Sequence, residues 1–254
     1  MILTVDIGNS TLTLGGFSGE KLVFVSHIAT DTAKCTDEYA ISFRDVLSLY
    51  RIDPASVTGA IVASVVPPLN GVIEDAIRFL FHTEPLFVGP GIKSGIGIRC
   101  DIPSSVGADL IAAAVAVGTL YQSPALIIDM GTATKMMVMN DKGAFIGVSI
   151  IPGVMVSLDA LTKRTAQLPM VSLEAPRSVI GKNTADCMKS GIVFGSASMV
   201  DGMIDRIFEE VGSSLPVYAT GGLASLITPH CKHKIAYDEH LVLKGLNIIY
   251  KKNQ

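Results

Sequence analysis

Ala125-Leu126-Ile127-Ile128-Asp129-Met130-Gly131-Thr132-Ala133-Thr134 is an apolar run that ends on a carboxylate and then turns on a glycine and hydroxyl residues. It repeats the opening of the chain, where Met1-Ile2-Leu3-Thr4-Val5 runs into Asp6-Ile7-Gly8-Asn9-Ser10. Each run is followed by a second strand-like segment, 11–17 after the first and 135–139 after the second. Both copies therefore read as strand, polar turn, strand. The two aspartates stand 123 residues apart, about half the chain. That spacing is far too long for a solenoid and predicts two related α/β halves facing each other across a cleft.

Outward from the first copy, the pattern predicts a strand over 21–28, a helix over 37–50, a buried strand over 60–66 and helices over 69–81 and 105–120. After the second copy it predicts a strand over 145–151, helices over 153–166 and 183–211, a strand over 215–220 and a closing helix over 240–250. The expected domains are 1–118 and 119–254. Along 183–211, Met188, Ile192, Met199, Met203 and Ile207 recur at helical spacing, and Phe194, Ala197, Ile204 and Phe208 widen the stripe. So broad a face suits a core helix, or one that also packs against a second subunit.

Charged residues make up 17% of the 254, against about 25% in an average domain, and 49% are apolar. Mean hydropathy is +0.48. Disorder and fibrous repeats are excluded. Lys and Arg number 20 against 23 Asp and Glu, a net charge of −3, which leaves no electrostatic surplus for a phosphodiester backbone. Nucleic acid is not an expected partner. The uncharged stretches 54–73 and 110–128 are interrupted by Pro67-Pro68 and by Gly118, Gln122, Ser123 and Pro124, so no membrane span is expected. With no basic leader before the first strand, the cytoplasm is the expected location. Cys35, Cys100, Cys187 and Cys231 lack any C-x-x-C spacing and read as reduced thiols. His230-Cys231-Lys232-His233 has no second ligand cluster to accompany it and reads as a polar turn.

A turn such as Asp6 to Ser10 offers backbone amides, hydroxyl and amide donors and one carboxylate, the parts that hold a phosphate and its Mg²⁺. Gly131-Thr132-Ala133-Thr134 after Asp129 offers the same parts, and Gly221-Gly222 after a strand suits the approach of an adenine or ribose. Neither G-x-x-x-x-G-K-[ST] nor a strand-borne G-x-G-x-x-G occurs, so P-loop and dinucleotide-binding readings fall.

Duplicated halves with D-x-G-[NT] turns resemble the acetate kinase, sugar kinase and actin superfamily, which implies two ribonuclease H-like α/β domains of the actin-like ATPase fold. Finer motifs follow in order: Ser64-Val65-Val66-Pro67-Pro68, Val106-Gly107-Ala108-Asp109, Ile151-Pro152-Gly153, Arg164-Thr165-Ala166-Gln167-Leu168-Pro169, Gly181-Lys182-Asn183-Thr184, Thr220-Gly221-Gly222-Leu223-Ala224 and Gly245-Leu246. Together with the two turns they make the whole chain resemble type III pantothenate kinase. The resemblance implies phosphoryl transfer from ATP to the primary hydroxyl of pantothenate, the first step towards coenzyme A. It implies that Asp109 is the general base, although an aspartate in a first helical turn also suits capping. It implies that Asp6, Ile7, Gly8, Asn9, Ser10, Thr11, Leu12 and Thr13 form the ATP-phosphate loop, with Asp6 near Mg²⁺. Asp129 is implied to hold a monovalent cation, K⁺ or NH₄⁺, and Thr132 to contact ATP. Gly107, Ala108 and Asp109 fall in the acceptor pocket. Thr184 is implied to touch substrate in a homodimer, and it also suits a helix-capping hydroxyl.

The chain departs from the pattern on the acceptor side. Leu110 stands where the family has a substrate-anchoring arginine, and Cys100 where it usually has tyrosine. Lys135 and Met137 stand where a small hydroxyl residue and an acid are more usual. Losing a charge-assisted bond costs roughly 1.5–3 kcal/mol, which weakens an enzyme without abolishing it; Arg99 and Lys135 are candidates for a compensating charge. Three readings follow: a pantothenate kinase, a kinase for another small alcohol, and a nucleotide-binding paralogue without turnover that regulates or assembles.

Overall fold

The structure is a computed structural model that describes residues 1–254. The chain forms two compact units, Met1–Tyr121 with Leu241–Gln254, and Gln122–His240. The closing segment thus packs with the first unit, unlike the continuous 119–254 domain expected from sequence. No helix is long and apolar enough to cross a membrane.

In the first unit, strands β1 (Ile2–Ile7), β2 (Thr11–Ser18), β3 (Lys21–Ala29), β4 (Gly59–Ser64) and β5 (Leu86–Phe87) form one sheet of order β3-β2-β1-β4-β5. β2 runs antiparallel to both β1 and β3, while β4 runs parallel to β1 and β5. Side chains alternate between the two faces of a strand. In β4, Ala60 and Val62 join a core with Tyr39 and Phe43 of α1 (Thr36–Leu49) and Ile73 and Ile77 of α2 (Asn70–Phe81). Ile61 and Ala63 join a core on the opposite face with Ile111 and Val115 of α3 (Ala108–Leu120) and Leu246 and Ile249 of α7 (Leu241–Lys252). A strand covered on both faces has no polar side to show, which is why 60–66 reads as one apolar run. α3 and α7 meet where Gly245 lies against Ala112: a Cβ on that glycine would come within 1.8 Å of the Ala112 carbonyl oxygen.

The second unit repeats the plan. β6 (Ala125–Met130), β7 (Ala133–Met139), β8 (Phe145–Pro152), β9 (Val217–Thr220) and β10 (Ile235–Tyr237) form a sheet of order β10-β9-β6-β7-β8, antiparallel from β6 to β8 and parallel from β6 to β10. The two sheets share strand order and direction, as two copies of one ancestral half require. Leu126, Ile128 and Met136 pack on Val154 and Leu158 of α4 (Val154–Arg164) and on the long helix α5 (Thr184–Val211). Met188, Ile192, Ala197, Ile204 and Ile207 of the expected stripe are buried in this core together with Val193 and Val200, whereas Met199, Met203 and Phe208 are only partly covered. Val193 and Val200 complete an i, i+4, i+7 row with Ala197, which turns Met199 and Met203 to the edge of the stripe. A short helix α6 (Ala224–Ile227) joins β9 to β10.

Candidate active site

β1 carries Asp6 to the end of the first sheet, and the chain turns through 8–10 into β2. The Gly8 amide donates to the Thr11 carbonyl at 3.0 Å, and a Cβ on Gly8 would stand 3.0 Å from that same oxygen. Thr30, just past β3, clasps the turn from outside: its hydroxyl donates to the Gly8 carbonyl at 2.7 Å and its amide to the Ser10 carbonyl at 3.1 Å. Asn9, Ser10 and Thr11 are exposed, whereas Ile7 and Leu12 are fully buried and offer a ligand only backbone. Directly across from Asp6 in the register stands Thr13, whose hydroxyl meets His27 Nδ1 at 3.1 Å. The turn after β4 braces the loop through the Val65 amide, which donates to the Ile7 carbonyl at 3.0 Å. That contact gives the Ser64 to Pro68 motif its place.

Asp109 lies in the first turn of α3, behind the N-cap Gly107, and is 8% exposed. Its Oδ1 accepts the Leu110 amide at 2.9 Å, and a Cβ on Gly107 would stand 2.5 Å from that oxygen. Glycine is thus the residue that lets the carboxylate fold back over the helix start. Ala108 and Leu110 are buried beside it, and residues 108–117 are buried throughout. Cys100 is half-buried; burial, and then Asp101, push its thiol pKa up, which keeps it protonated at neutral pH. Arg99 is exposed.

The second turn is built on close backbone contacts. The Gly131 amide donates to the Ala133 carbonyl at 3.2 Å, and the Gly153 amide to the Thr132 carbonyl at 3.2 Å. A Cβ on Gly153 would stand 2.2 Å from the Thr132 oxygen. Gly221 has a φ of +95°, and its Cβ position is 2.6 Å from the Met130 oxygen. Ile151-Pro152-Gly153 and Gly221-Gly222 are therefore the two supports of the turn. Asp129 and Lys135 are direct cross-strand partners, and Lys135 Nζ pairs with Asp129 Oδ2 at 2.8 Å. Their side chains are 14% and 18% exposed, so water screens the pair far less than a surface one.

At the start of α5, Asn183 provides the cap: its Oδ1 accepts the Asp186 amide at 2.9 Å, and its amide group donates to Asp186 Oδ2 at 2.8 Å. Thr184 is the first helical residue and is exposed, so the capping role open to it in sequence belongs to its neighbour. A Cβ on Gly181 would meet the Cys187 backbone nitrogen at 2.4 Å, which fixes glycine there too. A cavity of about 470 Å³ beside this loop is lined by Arg177, Lys182, Asp186 and Lys189, the last paired with Glu174. The turn 230–233 gathers no metal-binding cluster. Buried Asp201 instead accepts the Lys232 amide at 2.9 and 2.8 Å and the His233 amide at 3.2 Å.

A sequence profile described as type III pantothenate kinase matches residues 2–206. The type III pantothenate kinase of Halalkalibacterium halodurans is 42% identical over 253 residues, covering all of both chains, and that of Citrifermentans bemidjiense is 43% identical over 254 residues, again covering all of both. The chain belongs to the type III pantothenate kinase family. Among solved structures, a Baf family transcriptional activator from Campylobacter jejuni aligns with a TM-score of 0.60 at 18% identity, over 99% of this chain and 98% of that one. An activator of 2-hydroxyisocaproyl-CoA dehydratase from Clostridium difficile with bound ADPNP aligns at 0.54 and 13% identity, over 98% and 93%. These likenesses establish the duplicated actin-like ATPase fold.

As a member of this kinase family the chain is expected to take ATP with a divalent metal, and the first turn fits them with a carboxylate across from an uncharged threonine and with exposed hydroxyls. The monovalent cation expected on Asp129 does not fit. That carboxylate is already charge-paired, and Met137, where an acid was the family expectation, is a fully buried thioether with no hard oxygen to offer. Sequence reading missed Thr30, whose only local signal is a hydroxyl after a strand, and the engagement of Lys135 with Asp129.

Proposed function

We propose that this protein transfers the γ-phosphoryl group of MgATP to the primary hydroxyl of pantothenate, giving 4'-phosphopantothenate. The observation that carries the reading is the buried Asp109 carboxylate, held over Gly107 at the start of α3 in a chain of this family. In this reading Asp109 accepts the hydroxyl proton as the oxygen attacks phosphorus. The Asp6 to Thr13 turn holds the nucleotide phosphates by its backbone amides and the Ser10 and Thr11 hydroxyls, and Asp6 holds Mg²⁺, which when bound spreads the charge of the transferred group. Thr132 contacts ATP. Gly107, Ala108, Cys100 and Leu110 belong to the acceptor side, where a leucine supplies apolar packing in place of an anchoring charge.

Thr184 completes the acceptor site in a homodimer. An uncovered row of Ile146, Val148 and Ile150 on β8, the edge strand of its sheet, supports association with a second copy. The same reading places the enzyme in the cytoplasm, with a small alcohol rather than nucleic acid as its partner.

The test is ADP release by the purified protein with MgATP and pantothenate, beside an Asp109→Asn control. Turnover that requires pantothenate and disappears in the control is the expected result. Nucleotide binding with no turnover on pantothenate would overturn it and favour another acceptor or a regulatory module.

A further inference from the structure

We propose that Lys135 is a built-in monovalent cation, an ammonium ion tethered to the sheet, so that phosphoryl transfer by this protein does not depend on K⁺ or NH₄⁺. The inference rests on the function proposed above.

The pair is a product of the fold rather than of a chance rotamer. Asp129 and Lys135 are opposed in the β6–β7 register, which puts their side chains on one face of the sheet within reach of each other. Nζ stands 2.8 Å from Oδ2, and neither side chain is more than 18% exposed. The row continues to Thr220 on β9 and Ile150 on β8. Met137 and Ile127, one pleat away on the same face, are fully buried. Around the Asp129 carboxylate these neighbours are apolar, apart from the Thr220 hydroxyl, which donates to the Glu239 carbonyl at 3.3 Å. Asp129 itself and the Thr220 hydroxyl are the only side-chain oxygens in this row, too few for an alkali ion, and the charge it would bring is present on Lys135.

The duplicated half provides an internal comparison. Across from Asp6, at the matching place in the first hairpin, stands Thr13, a small hydroxyl that adds no charge and suits a turn meant to receive an external cation. Across from Asp129 stands a lysine. An ε-ammonium has the same charge as K⁺ and the same donor chemistry as NH₄⁺, with three N–H groups on a compact head. Carried on β7 it needs no capture from solution, so its effective concentration is that of a tethered group.

The experiment measures pantothenate-dependent ADP formation by the full chain in choline, sodium, potassium and ammonium chloride at matched ionic strength. Rates that agree within about threefold across the four salts are expected; stimulation by K⁺ or NH₄⁺ beyond about threefold overturns the proposal. Lys135→Met keeps the apolar stem and removes the charge. It should lose roughly tenfold or more of the rate in choline and recover it with ammonium, and an unchanged rate in choline overturns the proposal. Should that variant fold poorly, the four-salt comparison on the unaltered protein decides alone. If pantothenate is not turned over at all, the functional reading fails, and MgATP affinity by calorimetry in the same four salts still decides this one by the same threefold criterion.

Discussion

The Asp109 carboxylate folds back over Gly107, so that a methyl group added to the glycine would come within 2.5 Å of Oδ1. Gly107→Ala must therefore displace the proposed base. A misplacement of about 1 Å costs roughly 100-fold in rate. We expect kcat to fall by about that factor with the thermal midpoint lowered by only a few degrees, since exchanging a glycine N-cap for alanine costs under about 1 kcal/mol. Steady-state kinetics beside a melting curve checks it; an unchanged kcat would remove the positioning role.

Thr30 holds the first turn from a distance of 22 residues in sequence through its hydroxyl bond to the Gly8 carbonyl. Thr30→Val keeps the shape and deletes that bond, worth about 1 kcal/mol net. The KM for MgATP is expected to rise about fivefold while the KM for pantothenate stays constant.

Gly245 lets α7 lie against α3, and the Cβ of an alanine there would meet the Ala112 carbonyl oxygen at 1.8 Å. Overpacking of this kind costs about 1–3 kcal/mol. Gly245→Ala should lower the denaturant midpoint of the first unit even though alanine is the better helix former.

Burial, reinforced by Asp201, raises the Cys231 thiol from an ordinary 9.0 to about 12. Below pH 9 the thiol is neutral in both folded and unfolded chains, so its contribution to stability is constant there. Between about 9 and about 12 the unfolded chain ionises first and releases its proton while the folded chain retains it. Stability should fall across that window, and Cys231→Ala should flatten the fall. Denaturant titrations at pH 8 and pH 10.5 check the sign. Exposed Cys35 and Cys187 should be alkylated well before Cys231 at pH 8.

Most strands and helices were legible because their signals are local: apolar runs of strand length closed by Gly8, Gly131 or Pro67, and apolar residues at helical spacing along 69–81 and 183–211. β5 and β10 went unread because two and three residues are too few to show a period. Asn183 took the capping role from Thr184 because cap geometry depends on one residue's φ and ψ, which composition does not report.

By itself the sequence determined that the chain is duplicated, where each half turns on an aspartate and a glycine, and which family motifs lie along it, since each of these is written within a few consecutive residues. Tertiary structure alone decided that 241–254 returns to the first unit, that Thr30 clasps the Gly8 turn, that Asp109 leans over Gly107, and that Lys135 neutralises Asp129. Each of those depends on where the backbone brings a side chain in space. Packing of the sheets settles that placement, and no local propensity encodes it.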